Sequence, residues 1–260
     1  MINRFLIALF CGLSLLIGDL PAAQAEVDFN ISEAINKAGR QRMLTQRIVK
    51  SYLQMGQDVR YRVANKHLNE SVALFEQQLA QLKAFTQDPE TQRGLELVEK
   101  LWIPVKTIAT GSVQREQAQA LRESAEKLLV AAHQVVLMLA DQSGTNQGHL
   151  VNIAGRQRML TQRMGNLYMM MSWKFDDEVY KKDYATATEE FEKALQELNG
   201  ANENTQEIGN ILTQVNQNWS MYKLSNRMGD GEYVPGLVAR MLDKILVQMN
   251  DVAGLYAALP

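Results

Sequence analysis

The chain has 260 residues, a formal net charge of −2 and a single cysteine, Cys11. A near-neutral balance removes the electrostatic case for nucleic acid. Without a second cysteine there is no disulfide, no thiolate metal cluster and no thioether haem link. Ala, Leu, Gln, Glu, Lys and Met are abundant and strand alternation is absent, so the expected fold is all-α and held by packing alone.

In chain order, Arg4 precedes the apolar run Phe5 to Ile17, which is followed by Pro21-Ala22-Ala23-Gln24-Ala25. A basic start, a short apolar core and an Ala-x-Ala end predict a signal peptide over residues 1–25 and export to the periplasm. The run is too short for a bilayer, which needs about 20 apolar residues. No later run has spanning length, so the mature chain is expected to carry no membrane span.

Amphipathic patterns then predict helices near residues 29–63, 66–86, 89–108 and 113–141, and again near 147–179, 182–199, 203–225 and 234–257. The breaks carry turn chemistry at Thr86-Gln87-Asp88-Pro89, Thr110-Gly111-Ser112, Asn199-Gly200 and Met228-Gly229-Asp230-Gly231. Pro104 is expected to kink or shorten the third helix. Short links between long amphipathic helices predict antiparallel four-helix bundles.

An internal repeat organises these elements. Ala38-Gly39-Arg40-Gln41-Arg42-Met43-Leu44-Thr45-Gln46-Arg47 returns without a change as Ala154-Gly155-Arg156-Gln157-Arg158-Met159-Leu160-Thr161-Gln162-Arg163. At the same offset Asn36 matches Asn152, Tyr52 matches Tyr168, and Phe75-Glu76 matches Phe191-Glu192. After one inserted residue, Trp102 and Lys106 match Trp219 and Lys223, and Glu126 to Val130 match Asp243 to Val247. The expected organisation is two copies of one bundle, residues 26–142 and 143–260. Ser143-Gly144-Thr145-Asn146-Gln147-Gly148 lies between them. Two glycines favour a sharp reversal, placing the bundles side by side as a pseudo-dimer rather than end to end along one continuous helix.

In each first helix a heptad seam has an arginine at its centre. It runs Ile31, Ile35, Ala38, Arg42, Thr45, Val49 and Tyr52 in the first copy, and Val151, Ala154, Arg158, Thr161, Gly165 and Tyr168 in the second. The flanking residues are small and let two helices approach. A guanidinium there keeps its charge and needs an acceptor. If the seams face one another, Arg42 and Arg158 meet near a pseudo-twofold axis, and a planar oxyanion such as nitrate or nitrite would relieve both. The other outcome is an acidic partner on a neighbouring helix, or snorkelling to water. Lys37 precedes Arg42 by about one turn and Ile153 replaces it in the second copy, so the site would be asymmetric. Arg40, Arg47, Arg156 and Arg163 point elsewhere and read as solvated or as salt-bridge partners inside a bundle. Gln41, Gln46, Gln157 and Gln162 fit either a ligand or a tie between helices.

The segment Ile35 to Gln46 resembles the signature of PilJ-type periplasmic sensor domains of type IV pilus chemotaxis transducers. Sensor kinases for nitrate and nitrite of the Nar type carry a related segment, with an Asn-Lys-Ala-Gly run followed by an Arg-Met pair. Asn36-Lys37-Ala38-Gly39 and Arg42-Met43 stand at those positions, as do Asn152, Ala154, Gly155 and Arg158-Met159. The resemblance implies a four-helix bundle pairing through its first helix, with Arg42 and Arg158 holding nitrate and Gly39 and Gly155 making room. The candidate ligand set is therefore Arg42, Arg158, Lys37, Gly39, Gly155, Asn36, Asn152, Thr45 and Thr161.

Other constellations are weaker. Met164 and Met169 to Met171 fit core packing better than a copper site. His67, His133 and His149 lack ligand spacing. Asp176-Asp177-Glu178 and Lys181-Lys182-Asp183 read as a solvated helix end. No catalytic constellation is found, so an enzyme, a cofactor and a resident metal are not expected. Two functions follow: a ligand-binding sensor reporting to a membrane-bound sensor kinase or chemotaxis transducer, or a ligand-free module docking on a pilus component or chemoreceptor. A periplasmic metal or haem carrier is a weaker third.

Overall fold

A computed structural model describes residues 30–175, 178–226 and 232–259. The expected signal peptide and the expected Met228-to-Gly231 turn lie outside them. Within the described residues the chain forms α1 (Ile31–Gly56), α2 (Tyr61–Phe85), α3 (Pro89–Ala109), α4 (Arg115–Ser143), α5 (Asn146–Ser172), α6 (Glu178–Asn199), α7 (Gln206–Asn226) and α8 (Pro235–Ala257), with no strand. None of these helices is long and apolar enough to cross a membrane.

Local chemistry starts and stops the helices. Asn30, Asp88 and Thr145 accept from the backbone N–H of Glu33, Thr91 and Gly148, capping α1, α3 and α5. Pro89 and Pro235 occupy first turns, where a missing N–H costs nothing. Pro104 lies inside α3 without ending it. Two helices end well before expectation, and those that follow them, α2 and α6, start earlier at Tyr61 and Glu178. α1 stops at Gly56, because Asp58 and Arg60 turn left-handed with φ of 54° and 52°. α5 stops at Ser172, and Lys174 turns with φ of 63°.

α1, α2, α3 and α4 pack together, as do α5, α6, α7 and α8, and α1 against α5 is the main contact between the halves, so that the buried apolar residues of both form one continuous cluster. The duplication is visible in the side chains. Phe75 stacks on Trp102 with ring centroids 4.2 Å apart, and Phe191 meets Trp219 at 4.3 Å. Each indole N–H donates to a glutamate, Trp102 to Glu76 at 3.3 Å and Trp219 to Glu192 at 3.2 Å. The Tyr52 hydroxyl accepts from Gln114 N at 2.8 Å and the Tyr168 hydroxyl from Val234 N at 2.9 Å. Each tyrosine thereby ties the end of its first helix to the start of its fourth.

The reversal between the halves is made by Gly144, whose φ of 59° suits glycine. Gly148 is not part of it. It sits inside α5, where an added Cβ would come 2.7 Å from the Ser143 hydroxyl and 3.2 Å from Ile35. The reversal makes α5 run parallel to α1 and beside it. Asn166 accordingly donates to Gln46 at 2.6 Å, and Gln57 to the Met169 carbonyl at 3.0 Å. The helices touch at two glycines. A Cβ on Gly39 would lie 3.8 Å from the Gly155 Cα, and one on Gly155 would lie 3.7 Å from the Gly39 Cα.

Candidate functional site at the α1–α5 crossing

The glycine crossing brings the two seam arginines together. Arg42 is 1% exposed and Arg158 0%. Their Nη2 atoms each lie 3.2 Å from where a Gly155 Cβ would be, so the two guanidinium groups are separated by no more than twice that distance.

Their partners repeat across the pseudo-twofold axis. Arg42 Nη2 donates to the Asn152 carbonyl and Arg158 Nη2 to the Asn36 carbonyl, both at 3.1 Å. Arg42 Nη1 donates to His133 Nδ1 at 3.0 Å, and Arg158 Nη1 to Asn250 Oδ1 at 3.1 Å. His133 on α4 and Asn250 on α8 are equivalent positions. A guanidinium only donates, so His133 is the neutral tautomer with its proton on Nε2. Both Nε atoms are buried without a partner.

All four acceptors are neutral, and neither arginine forms a salt bridge among the described residues. Burial pulls the Arg42 pKa down to about 9, with Arg156 adding repulsion. Burial, then Arg40 and Arg42, pull Arg158 well below its usual value. The crossing is a place of uncompensated positive charge.

The other sequence candidates are placed unevenly. Asn36 and Asn152 contribute backbone carbonyls. The Thr45 and Thr161 hydroxyls each donate to the carbonyl of the seam arginine three residues earlier, at 2.7 Å. Lys37 pairs with Glu33 at 3.5 Å on its own helix. Gln41 and Gln157 tie helices together, donating to the Phe75 and Phe191 carbonyls at 3.3 and 2.8 Å. Met164, Met169 and Met170 are core residues. No metal-binding group of His, Cys, Asp and Glu is present among the described residues.

Arg42 also edges a cavity of about 320 Å³ between α4, α5 and α6. Its other cations are matched by carboxylates: Arg156 by Glu190 at 3.0 Å, and Arg163 by Glu126 at 2.7 Å and Asp183 at 3.8 Å. Glu126 belongs to the opposite half, so Arg163 is not confined to pairing within its bundle. Nor is Asp183 a solvated helix end, since Arg122 of α4 reaches it at 2.7 Å. A further ion pair crosses between halves on the other side. Lys50 is fully buried, passes Gly165 and meets Asp243 of α8, whose second oxygen accepts from Arg60 at 3.1 Å. Burial works against the Asp243 carboxylate, yet Lys50, His67 and Arg47 hold it below the usual carboxylate range.

A family model described as type IV pili methyl-accepting chemotaxis transducer N-term, PilJ, matches residues 28–128 and 139–226. The chain belongs to the PilJ family. Neither curated proteins nor solved structures give a match. Each PilJ segment contains one seam arginine and one touching glycine. His133 falls between the two matched PilJ segments and Asn250 after them, so both acceptors stand outside the part of the chain the family describes.

The histidine acceptor has a pH consequence. Burial, then Arg42 and Arg156, push the His133 pKa from 6.5 to about 4. Between those values the unfolded chain binds the proton and the folded chain does not, so acidification favours unfolding. The melting temperature of this PilJ protein is expected to fall as pH drops from about 6.5 through 4. His133→Asn, which copies the residue at Asn250, should make that decline shallower. An unchanged profile would refute the assignment. His67, lowered to about 4 by burial and Arg47, adds to the same slope, as do carboxylates such as Asp243 that are held below their usual range.

Proposed function

We propose that this chain is an exported sensing module that binds a small oxyanion, nitrate or nitrite, between its halves and reports to a membrane-bound sensor kinase or chemotaxis transducer. In this reading residues 1–25 are the removed signal peptide, and residues 26–142 and 143–260 are the two copies that form the receptor. One observation carries it: two fully buried guanidinium groups stand together across the α1–α5 crossing with neutral acceptors alone. An anion entering there would neutralise both, and planar oxygens fit the N–H fork. The Asn-Lys-Ala-Gly and Arg-Met pattern shared with nitrate sensors of the Nar type supports the choice of ligand.

Anion binding would transmit through α1 and α5. Each guanidinium spans from its own helix to the backbone of the other, so taking up an anion exchanges inter-helix bonds for bonds to the ligand. The differential affinity of the anion for the two arrangements is the signal. Calorimetric titration of the purified protein with nitrate and with nitrite tests the reading, with chloride as control. Heat and a raised melting temperature at millimolar nitrate or nitrite are expected, and Arg42→Ala and Arg158→Ala should each abolish both. The competing reading, a ligand-free docking module for a pilus component or chemoreceptor, draws on the fact that the inner N–H groups already have acceptors. It requires no response to any of the three anions.

A further inference from the structure

A second cleft between the halves, about 330 Å³ in volume, lies between α1, α2 and α8. It is the internal counterpart of the cavity that Arg42 edges. Arg40, Arg47 and Asp243 stand in it where Arg156, Arg163 and Glu126 stand in the other.

The two clefts share a volume and equivalent lining positions and differ in charge. The cavity of α4, α5 and α6 matches its arginines with Glu190, Glu126 and Asp183. In the second cleft Leu74 takes the place of Glu190, and His67 the place of Asp183. The one remaining acid, Asp243, is held by Lys50 and Arg60. Arg40 donates to the neutral Asn250 Oδ1 at 3.2 Å. Neither Arg40 nor Arg47 pairs with a carboxylate among the described residues, and both keep a buried Nε without a partner. His67 adds no charge at neutral pH, because burial and Arg47 keep it unprotonated. Two cations therefore face the cleft with no carboxylate in direct contact, although Glu33 acts on Arg40 and Asp243 and Glu70 act on Arg47 from further away.

We propose that this cleft binds a small organic dianion, a dicarboxylate, with one carboxylate on Arg40 and the other on Arg47. The two arginines are two helical turns apart on one face of α1, roughly 10 Å along the axis. Met43 lies between them, and Leu74 and Leu246 line the wall. This order of cation, apolar surface and cation matches a chain with a charge at each end. An inorganic oxyanion would satisfy one guanidinium and leave the apolar wall unused. The site is distinct from the Arg42–Arg158 pair but touches it through Asn250 Oδ1, which accepts from both Arg40 and Arg158, and its occupant would bridge α1 and α2 of the first half to α8 of the second.

The test is calorimetric titration of the whole protein with glutarate, and with butyrate as the monoanion of similar length. Glutarate is expected to bind at least about tenfold more tightly than butyrate. Leu74→Glu, which restores the acid found at Glu190, should weaken glutarate at least about tenfold. Leu74 is partly buried, so Arg47→Gln serves as a second variant that keeps the apolar wall, and it should cause a similar loss. Glutarate binding no tighter than butyrate, or glutarate binding unchanged in Arg47→Gln, overturns the proposal.

Discussion

Replacing Asp243 with alanine is expected to destabilise the fold by about 3–5 kcal/mol, the usual cost of stripping the partner from a buried charge. Lys50 has a side chain with 0% exposure, reaches Asp243 across the interface, and loses its counterion in that variant. Arg60 loses its acceptor too. The reciprocal change is milder. Lys50→Met leaves Asp243 with Arg60, and the Asp243 side chain is 18% exposed, so water shares its charge. A buried ion pair is close to break-even against a hydrophobic pair, so Lys50→Met combined with Asp243→Leu should recover most of what Asp243→Ala loses. Urea unfolding of the three variants measures this. An Asp243→Ala loss below about 1 kcal/mol would mean the pair behaves as a surface contact.

Arg158→Met is expected to do the reverse and raise stability, by about 1–4 kcal/mol. The guanidinium is fully buried, faces Arg42 and has neutral acceptors, so removing it removes a desolvated cation. Its acceptors are not orphaned. The Asn36 carbonyl lies within α1 and keeps its helical N–H partner, and Asn250 Oδ1 keeps Arg40 at 3.2 Å. Methionine fills the vacated volume with an adaptable chain. If the crossing binds nitrate as proposed, the same variant should lose that response, so heat stability and ligand response would move in opposite directions. A fall in the urea midpoint would show that the arginine is a structural tie and not a stored cost. Arg42→Met should gain less, because Arg42 edges a cavity and has an imidazole for one acceptor.

The all-helical class, the duplication and the meeting of Arg42 with Arg158 were legible because each is written as a pattern along the chain. The repeat supplied the symmetry, and the seam spacing supplied the face. Helix ends at Gly56 and Ser172 were not legible. Apolar periodicity continues past both, and the breaks rest on Asp58, Arg60 and Lys174 adopting left-handed backbone, whereas Gly56 itself is still helical. His133 and Asn250 were missed for a different reason. A single polar residue on a packed helix looks like any satisfied core group, and its role depends on which helix tertiary folding lays beside it. One signal existed. Extending the match of Glu126 to Val130 with Asp243 to Val247 aligns His133 with Asn250, two polar residues at one equivalent place. The helical wheel also placed Arg163 off the seam correctly. It could not tell that the neighbour on that side, Glu126, comes from the other half.

The two-residue tether at Gly144 and Thr145 has a consequence for any signal read where α1 meets α5. Receptors assembled from separate subunits lose their shared site on dilution, and their sensitivity drifts with expression level. A short tether holds its ends at an effective concentration of about millimolar. Here the pairing is settled when the chain folds, so occupancy of the proposed anion site would depend on solute level and not on copy number. Fusion also frees each half to diverge, which a homodimer cannot do, and the clefts on either side of the junction are lined by unlike charges.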